Sequence, residues 1–404
     1  MNQPVPPQGA VETRKSGKAA VEVDVDAWRH RIRAYTFGNY HYEMGVALER
    51  EGNLAAAAGA YDRAIAADPS LAAARLRLVE ALTALGDSAR AQEVETRFLT
   101  ADPHFRTAAA YRRAKELAEA GQVDEAAALL ETVDQQASAP LSDQLEAWRS
   151  VAGALAARKD FARAGQFLQH ALAADPENAE ALLGMANVAF RTNRTALAVD
   201  LARQSVETAR QPRSLYLLGI YQLASGAAAP AIEAFAAARD AGYVPAGLCT
   251  LHIAWADTIA GRPAEAVAAF DTILTTEPHN VLAASYRAIS LLALGRHEQA
   301  LTAATAARSI APDNSHAKTN HALCLAAVGR VDEARVLLDE AMAAAPNMAW
   351  SRYAAALLAA RGGEVDRARA WVAEGRRLEP QWTAYFIGLL PGARESLLPL
   401  TTGL

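Results

Sequence analysis

The side chains able to do metal or covalent chemistry are few in this sequence and poorly spaced for it. Nine histidines are spread over 404 residues. The nearest pair, His316 and His321, is five positions apart and so does not share a helical face. No HExxH and no cysteine–histidine set at zinc spacing occurs. The two cysteines, Cys249 and Cys324, each lie in an apolar run and are expected to be buried structural thiols without a disulfide. There is no Walker loop, no GxGxxG after a strand and no GxSxG elbow, and the acidic residues are scattered over what read as turns and solvated faces. A reaction has to be argued from a constellation, and none is present. The expectation is therefore no enzyme, no catalytic residue, no metal and no cofactor.

The same residues are better explained as parts of helices. Apolar residues make up 52%, much of it alanine, while aromatics are only 6%, a balance that suits closely packed helices rather than a β-rich core. Net charge is −5, which disfavours nucleic acid as the partner. No stretch reaches the roughly 18 uncharged apolar residues of a membrane span, so a cytoplasmic location is expected. Alanine- and arginine-rich, lysine-poor usage points to a high-GC bacterium.

What orders the chain is a repeat. Gly261, Gly295, Gly329 and Gly363 recur every 34 residues, with Ala266, Ala300 and Ala334 five places on and Pro278, Pro312, Pro346 and Pro380 closing each unit. A glycine that ends one helix at positive φ, a small residue where two helices approach and a proline at the seam describe a helix–turn–helix unit. Asn53, Asp87 or Asp160 beside the turn is placed to cap the second helix. Between residues 38 and 380 the prolines fall at seams or, as Pro230 and Pro263, in a first helical turn, where no amide hydrogen is needed.

The period and the small-residue pattern resemble the tetratricopeptide repeat. That resemblance implies an all-α, right-handed α-solenoid of about ten repeats. Residues 1–22 read as a disordered leader, 23–37 as an N-terminal capping helix, 38–380 as the repeats and 381–404 as a C-terminal capping segment. The fourth and fifth repeats depart from the pattern, with Lys159 and Asn193 at the turn. The seam at residues 134–144 is a few residues too long.

In the family the first helix of each repeat lines the concave wall. Carried onto this chain, those positions are Tyr42, Glu80, Tyr111, Lys115, Arg149, Asn187 and Phe190 in the first five repeats. In the last five they are Tyr216, Ile220, Leu251, Trp255, Ile289, Leu323 and Tyr353. The first half is a mixed-charge groove and the second an apolar one. The lysine–asparagine clamp with which some members hold a terminal carboxylate is not reproduced, since Tyr42 and Val46 stand in the first repeat. The resemblance thus implies an adaptor that binds a peptide segment or partner helix. Trp255 is expected as an anchor whose truncation weakens binding about thirtyfold while the fold survives. The competing reading is a self-assembling structural protein, a homo-oligomer or a chain whose apolar groove holds its own tail.

Overall fold

The computed structural model describes residues 25–69, 71–99, 103–133, 139–383, 385–386 and 396–400. The leader and part of the long seam lie outside them. Among the described residues the chain forms twenty α-helices, two short 3-10 turns and no strand. The helices come in ten antiparallel pairs. In order they are α1 (Val25–Arg50) and α2 (Leu54–Ala67), α3 (Ala72–Ala84) and α4 (Ser88–Leu99), α5 (Pro103–Glu119) and α6 (Val123–Thr132), and α7 (Leu141–Ala157) and α8 (Phe161–Ala174). Next are α9 (Ala179–Arg191) and α10 (Thr195–Thr208), α11 (Pro212–Ala224) and α12 (Ala228–Asp240), and α13 (Ala246–Ile259) and α14 (Pro263–Thr276). The last three pairs are α15 (Val281–Ala293) and α16 (His297–Ile310), α17 (Ser315–Ala327) and α18 (Val331–Ala344), and α19 (Ala349–Arg361) and α20 (Val365–Leu378). Helix α1 runs without a break through Gly38, where the first repeat was expected to begin.

Two compact units result. The first takes residues 1–110 with 134–139, and the second residues 111–133 with 140–404.

Each pair turns by the same local device. At the end of α1, Gly52 takes φ 78°, its amide donates to the Glu49 carbonyl at 2.9 Å and the next amide, of Asn53, donates to the Leu48 carbonyl at 2.9 Å. These bonds consume carbonyls that a helix end leaves unpaired. Seven further glycines at the corresponding turns have positive φ, and so do Lys159 (65°) and Asn193 (61°). The turn thus keeps its geometry even where glycine is absent. Asn53, Asp87 and Asp160 accept from the amides of Ala56, Arg90 and Arg163 at 3.2, 3.3 and 3.2 Å, capping the second helices as expected. Asn178, Asn280 and Asn314 do the same for the first helices α9, α15 and α17. Pro212 and Pro263 open α11 and α14.

Within a pair, a large residue of the second helix fills a gap left by glycine in the first. The ring of Tyr61 lies where a Cβ on Gly45 would be, and the ring of Phe235 does so at Gly219. Ala57, Ala164, Ala231, Ala266, Ala300 and Ala334 are fully buried at the expected small-residue position. Close helix approach requires a methyl there, since interiors are packed at crystal density. The largest core cluster runs from Leu223 to Leu400 through the last five repeats. Cys249 and Cys324 are buried and free, and burial pushes the Cys324 thiol up to about 12.

Candidate functional site

In the second unit, the first helix of each pair turns one face inward, and that face divides into two parts of different chemistry. The first is a groove of about 610 Å³ built on α5, α7, α9 and α11. Lys115 on α5 reaches Glu146 on α7 at 2.6 Å, and Arg149 on α7 pairs with Glu180 on α9. Two cross-repeat ion pairs therefore stand in a row along the groove. Such half-exposed pairs add only about 0–1 kcal/mol each, so their main effect is to fix charged groups in register. Glu119 and Arg213 sit toward opposite ends of the groove and make no ion pair among the described residues. Asn187 is exposed on α9 between them. Gly153 on α7 lines the groove with nothing within 4 Å of where its Cβ would stand, leaving room for a ligand backbone.

The second part is apolar and covered. After α20 the chain makes a 3-10 turn, Pro380–Trp382, and residues 380–383 with 385–386 lie across the inner face as a strap. The Trp382 ring meets Phe190 of α9 edge to face at 5.5 Å, although α9 and the strap are some 190 positions apart. Tyr385 accepts a hydrogen bond from the Trp255 indole of α13. Phe386 packs on Trp350 and Tyr353 of α19 at 5.3 and 5.1 Å, and the Tyr353 hydroxyl donates to Thr383 at 2.9 Å. Glu379 anchors the strap's start by accepting from the Ala349 amide at 3.1 Å, at the head of α19. Burial raises its carboxyl pKa, partly offset by that bond and by Arg191.

The strap does not fill the space it crosses. A cavity of about 680 Å³ remains, lined by Trp255, Tyr286, His252, His316, Trp382 and Tyr385 among others. Trp255 stacks on Tyr286 at 4.1 Å. Burial lowers the pKa of His252 and of His316, so both imidazoles are neutral at pH 7. Nδ1 of His252 is held by the Leu248 carbonyl at 2.8 Å, which leaves Nε2 as an acceptor.

The expected wall residues divide accordingly. Lys115, Arg149 and Asn187 meet in the charged groove. Ile220 and Trp255 line the apolar cavity. Tyr216 is half-buried and stacks on Tyr243 at 4.3 Å. Phe190 and Tyr353 are buried beneath the strap. Leu251, Ile289 and Leu323 point between neighbouring helices and are core, with 2%, 0% and 3% exposure. Tyr111 is also buried, edge to face with Trp148 at 5.5 Å. Tyr42 and Glu80 belong to the first unit, Tyr42 beside Tyr61 and Glu80 paired with Arg77. Trp255 is only 3% exposed, so it is no open anchor; the indole faces the inner side but lies under Tyr385. The sequence reading missed Tyr286, His252, Glu379 and the three strap rings. The signal available was the aromatic spacing in QWTAYF, which matches no repeat position. Among the described residues no group of three His, Cys, Asp or Glu is placed to hold a metal ion. None of their helices is long and apolar enough to cross a membrane.

No curated protein sequence matches this chain. Solved structures similar to it include a tetratricopeptide repeat protein from Parabacteroides merdae, at 11% identity over 77% of this chain and 94% of the other, with a TM-score of 0.45. PilW, a type IV pilus biogenesis factor, is similar at 17% identity over 49% of this chain and 92% of its own, TM-score 0.44. Yeast Tom70 is similar at 12% identity over 90% and 96%, TM-score 0.39. Two family models described as tetratricopeptide repeat match, one at residues 155–221, 258–324 and 325–390, the other at 42–104 and 111–179. With most of its length matched in this way and ten helix pairs turning by one device, the chain belongs to the tetratricopeptide repeat family.

Proposed function

We propose that this protein is an adaptor that holds an extended peptide segment of a partner protein in the charged groove of α5, α7, α9 and α11. Tetratricopeptide repeat proteins are protein-interaction scaffolds, and solenoids of this kind work through the extended inner surface that stacked repeats create. The observation that carries the reading is the contrast between the two parts of that surface. The apolar part is crossed by the chain's own strap and partly occupied by it, whereas no such segment crosses the charged part among the described residues, and that part is floored at Gly153 by a residue without a side chain. Asn187 offers both a donor and an acceptor to a peptide backbone. Lys115–Glu146 and Arg149–Glu180 present alternating charge, with Arg213 toward one end for an acidic side chain and Glu119 toward the other for a basic one. The competing reading, an apolar groove occupied by the chain's own tail, is favoured by the strap contacts and applies to the apolar part.

An array of twelve-residue peptides probed with the full chain tests the proposal. Gly153→Leu adds a side chain into open space on a helix, so the fold should survive while binding falls at least tenfold. Asn187→Ala should weaken the same peptides. If the bound peptides are indifferent to both changes, the charged groove is not the site.

A further inference from the structure

The strap shows what chemistry the apolar part of the inner face accepts. Besides the bond that Thr383 accepts from Tyr353, its contacts are made by three rings, Trp382, Tyr385 and Phe386, spaced i, i+3 and i+4. Each ring meets aromatic residues on the repeats: Trp382 on Phe190, Tyr385 on Trp255, and Phe386 on Trp350 and Tyr353. Aromatic pairs of this geometry add about 0.5–1.5 kcal/mol beyond their area.

Yet the strap is an incomplete occupant. Trp382 and Tyr385 stay half-buried, and about 680 Å³ is left beside them, a volume typical of a whole small-ligand site. Lining that space are Tyr286, whose hydroxyl has no hydrogen-bond partner among the described residues, and His252, whose Nδ1 is taken by the Leu248 carbonyl so that Nε2 is left as an acceptor. Nothing in the strap uses either group.

We infer that this part of the inner face is a docking surface for a partner segment that presents three aromatic side chains at the strap's spacing and a hydrogen-bond donor for His252, and that residues 380–386 are a placeholder for it. A covalently attached occupant competes at an effective concentration on the order of millimolar. A free segment with the same three rings therefore displaces it poorly, while one that also fills the remaining cavity and engages His252 and Tyr286 has contacts the strap lacks. The strap thus acts as a threshold that rejects weak aromatic segments. This surface is separate from the charged groove, and the inference stands or falls without it.

The test uses the full chain and a fluorescein-labelled peptide of residues 380–390, PQWTAYFIGLL, followed by anisotropy. Wild type should bind it weakly, because the strap is in the way. The variant Trp382→Ala/Tyr385→Ala/Phe386→Ala should bind it at least tenfold more tightly, and adding Ile220→Arg to that variant should abolish the gain. A triple variant with wild-type helicity and no gain in affinity would overturn the inference. If the triple variant does not fold, amide hydrogen exchange on the wild type decides: the amides of Tyr385 and Phe386 should exchange at least a hundredfold faster than those of α13 and α15. Equal protection would make the strap part of the core and also overturn the proposal.

Discussion

The indole N–H of Trp255 donates to the phenol oxygen of Tyr385, 130 positions further along the chain. The bond ties the middle of the second unit to the segment that follows its last repeat, and it buries a residue that its place in the repeat would present to a ligand. Burial also drives the Tyr385 hydroxyl pKa far up, partly offset by the bond from Trp255, so it stays a neutral phenol at any ordinary pH.

Trp255 is therefore a stability residue as well as a wall residue. Trp255→Ala removes the stack on Tyr286 and the bond to Tyr385 and should destabilise by about 3–5 kcal/mol, the range for emptying an aromatic site in a core. Tyr385→Phe removes only the hydrogen bond and should cost about 1 kcal/mol. Guanidinium denaturation of both variants checks the ratio; a Trp255→Ala protein with an unchanged midpoint would show that the indole is not packed.

Two glycines of the first repeat should respond with opposite sign. A Cβ on Gly45 would stand 2.4 Å from the Tyr61 ring. That ring is fully buried and held by a 2.6 Å bond from its hydroxyl to Glu49, so it has no easy retreat. Gly45→Ala should destabilise by about 1–3 kcal/mol through overpacking. Gly59, one helix on, has nothing within 4 Å, and Gly59→Ala should stabilise by about 0.5–1 kcal/mol through helix propensity. Thermal melts of the pair are the measurement.

At the α7–α8 turn, Lys159 holds φ 65°, a conformation that disfavours a residue with a Cβ by roughly 1–2 kcal/mol. Glycine relieves that strain but gives the unfolded chain more freedom, which returns about 0.4–1 kcal/mol. The strain is the larger effect, so Lys159→Gly should raise stability by about 0.5–1 kcal/mol. Asn193→Gly should gain less, because asparagine visits this region readily. Calorimetry on the single variants would show whether the order holds.

His321 makes stability depend on acid. It is 6% exposed, and burial, helped by Arg308 and Arg330, lowers its pKa to about 4; Thr305 is its hydroxyl neighbour at 3.3 Å. An unfolded-chain histidine titrates near 6.5. Above that pH both states are neutral and His321 contributes no slope. Between about pH 6.5 and 4 the unfolded state takes up a proton that the folded state refuses, so stability falls as pH drops, by roughly 1.4 kcal/mol per unit of pKa difference. His321→Asn should flatten this part of the pH profile relative to wild type while leaving the region above pH 7 parallel.

The repeats were legible from residues alone because each solves a local problem. Chain reversal at Gly52 or Gly261, capping by Asn53 or Asp160 and helix approach at Ala57 or Ala300 need only neighbours within one 34-residue unit, so period and residue type suffice. Even the exceptions at Lys159 and Asn193 kept the turn, since the Schellman bonds of the surrounding backbone fix it. The inner wall was only half legible. Lys115, Arg149 and Asn187 line one groove, but Leu251, Ile289 and Leu323 turn into the core, because a side chain at a wall position can lean between adjacent helices as well as outward. A tail lying in the apolar groove was foreseen only as one alternative, and no local pattern could supply which residues it would meet. The contacts of Trp382 with Phe190 and of Tyr385 with Trp255 join residues nearly 200 and 130 positions apart. They exist only because stacking the intervening repeats brings those surfaces together, and tertiary structure alone decided which part of the wall the strap crosses.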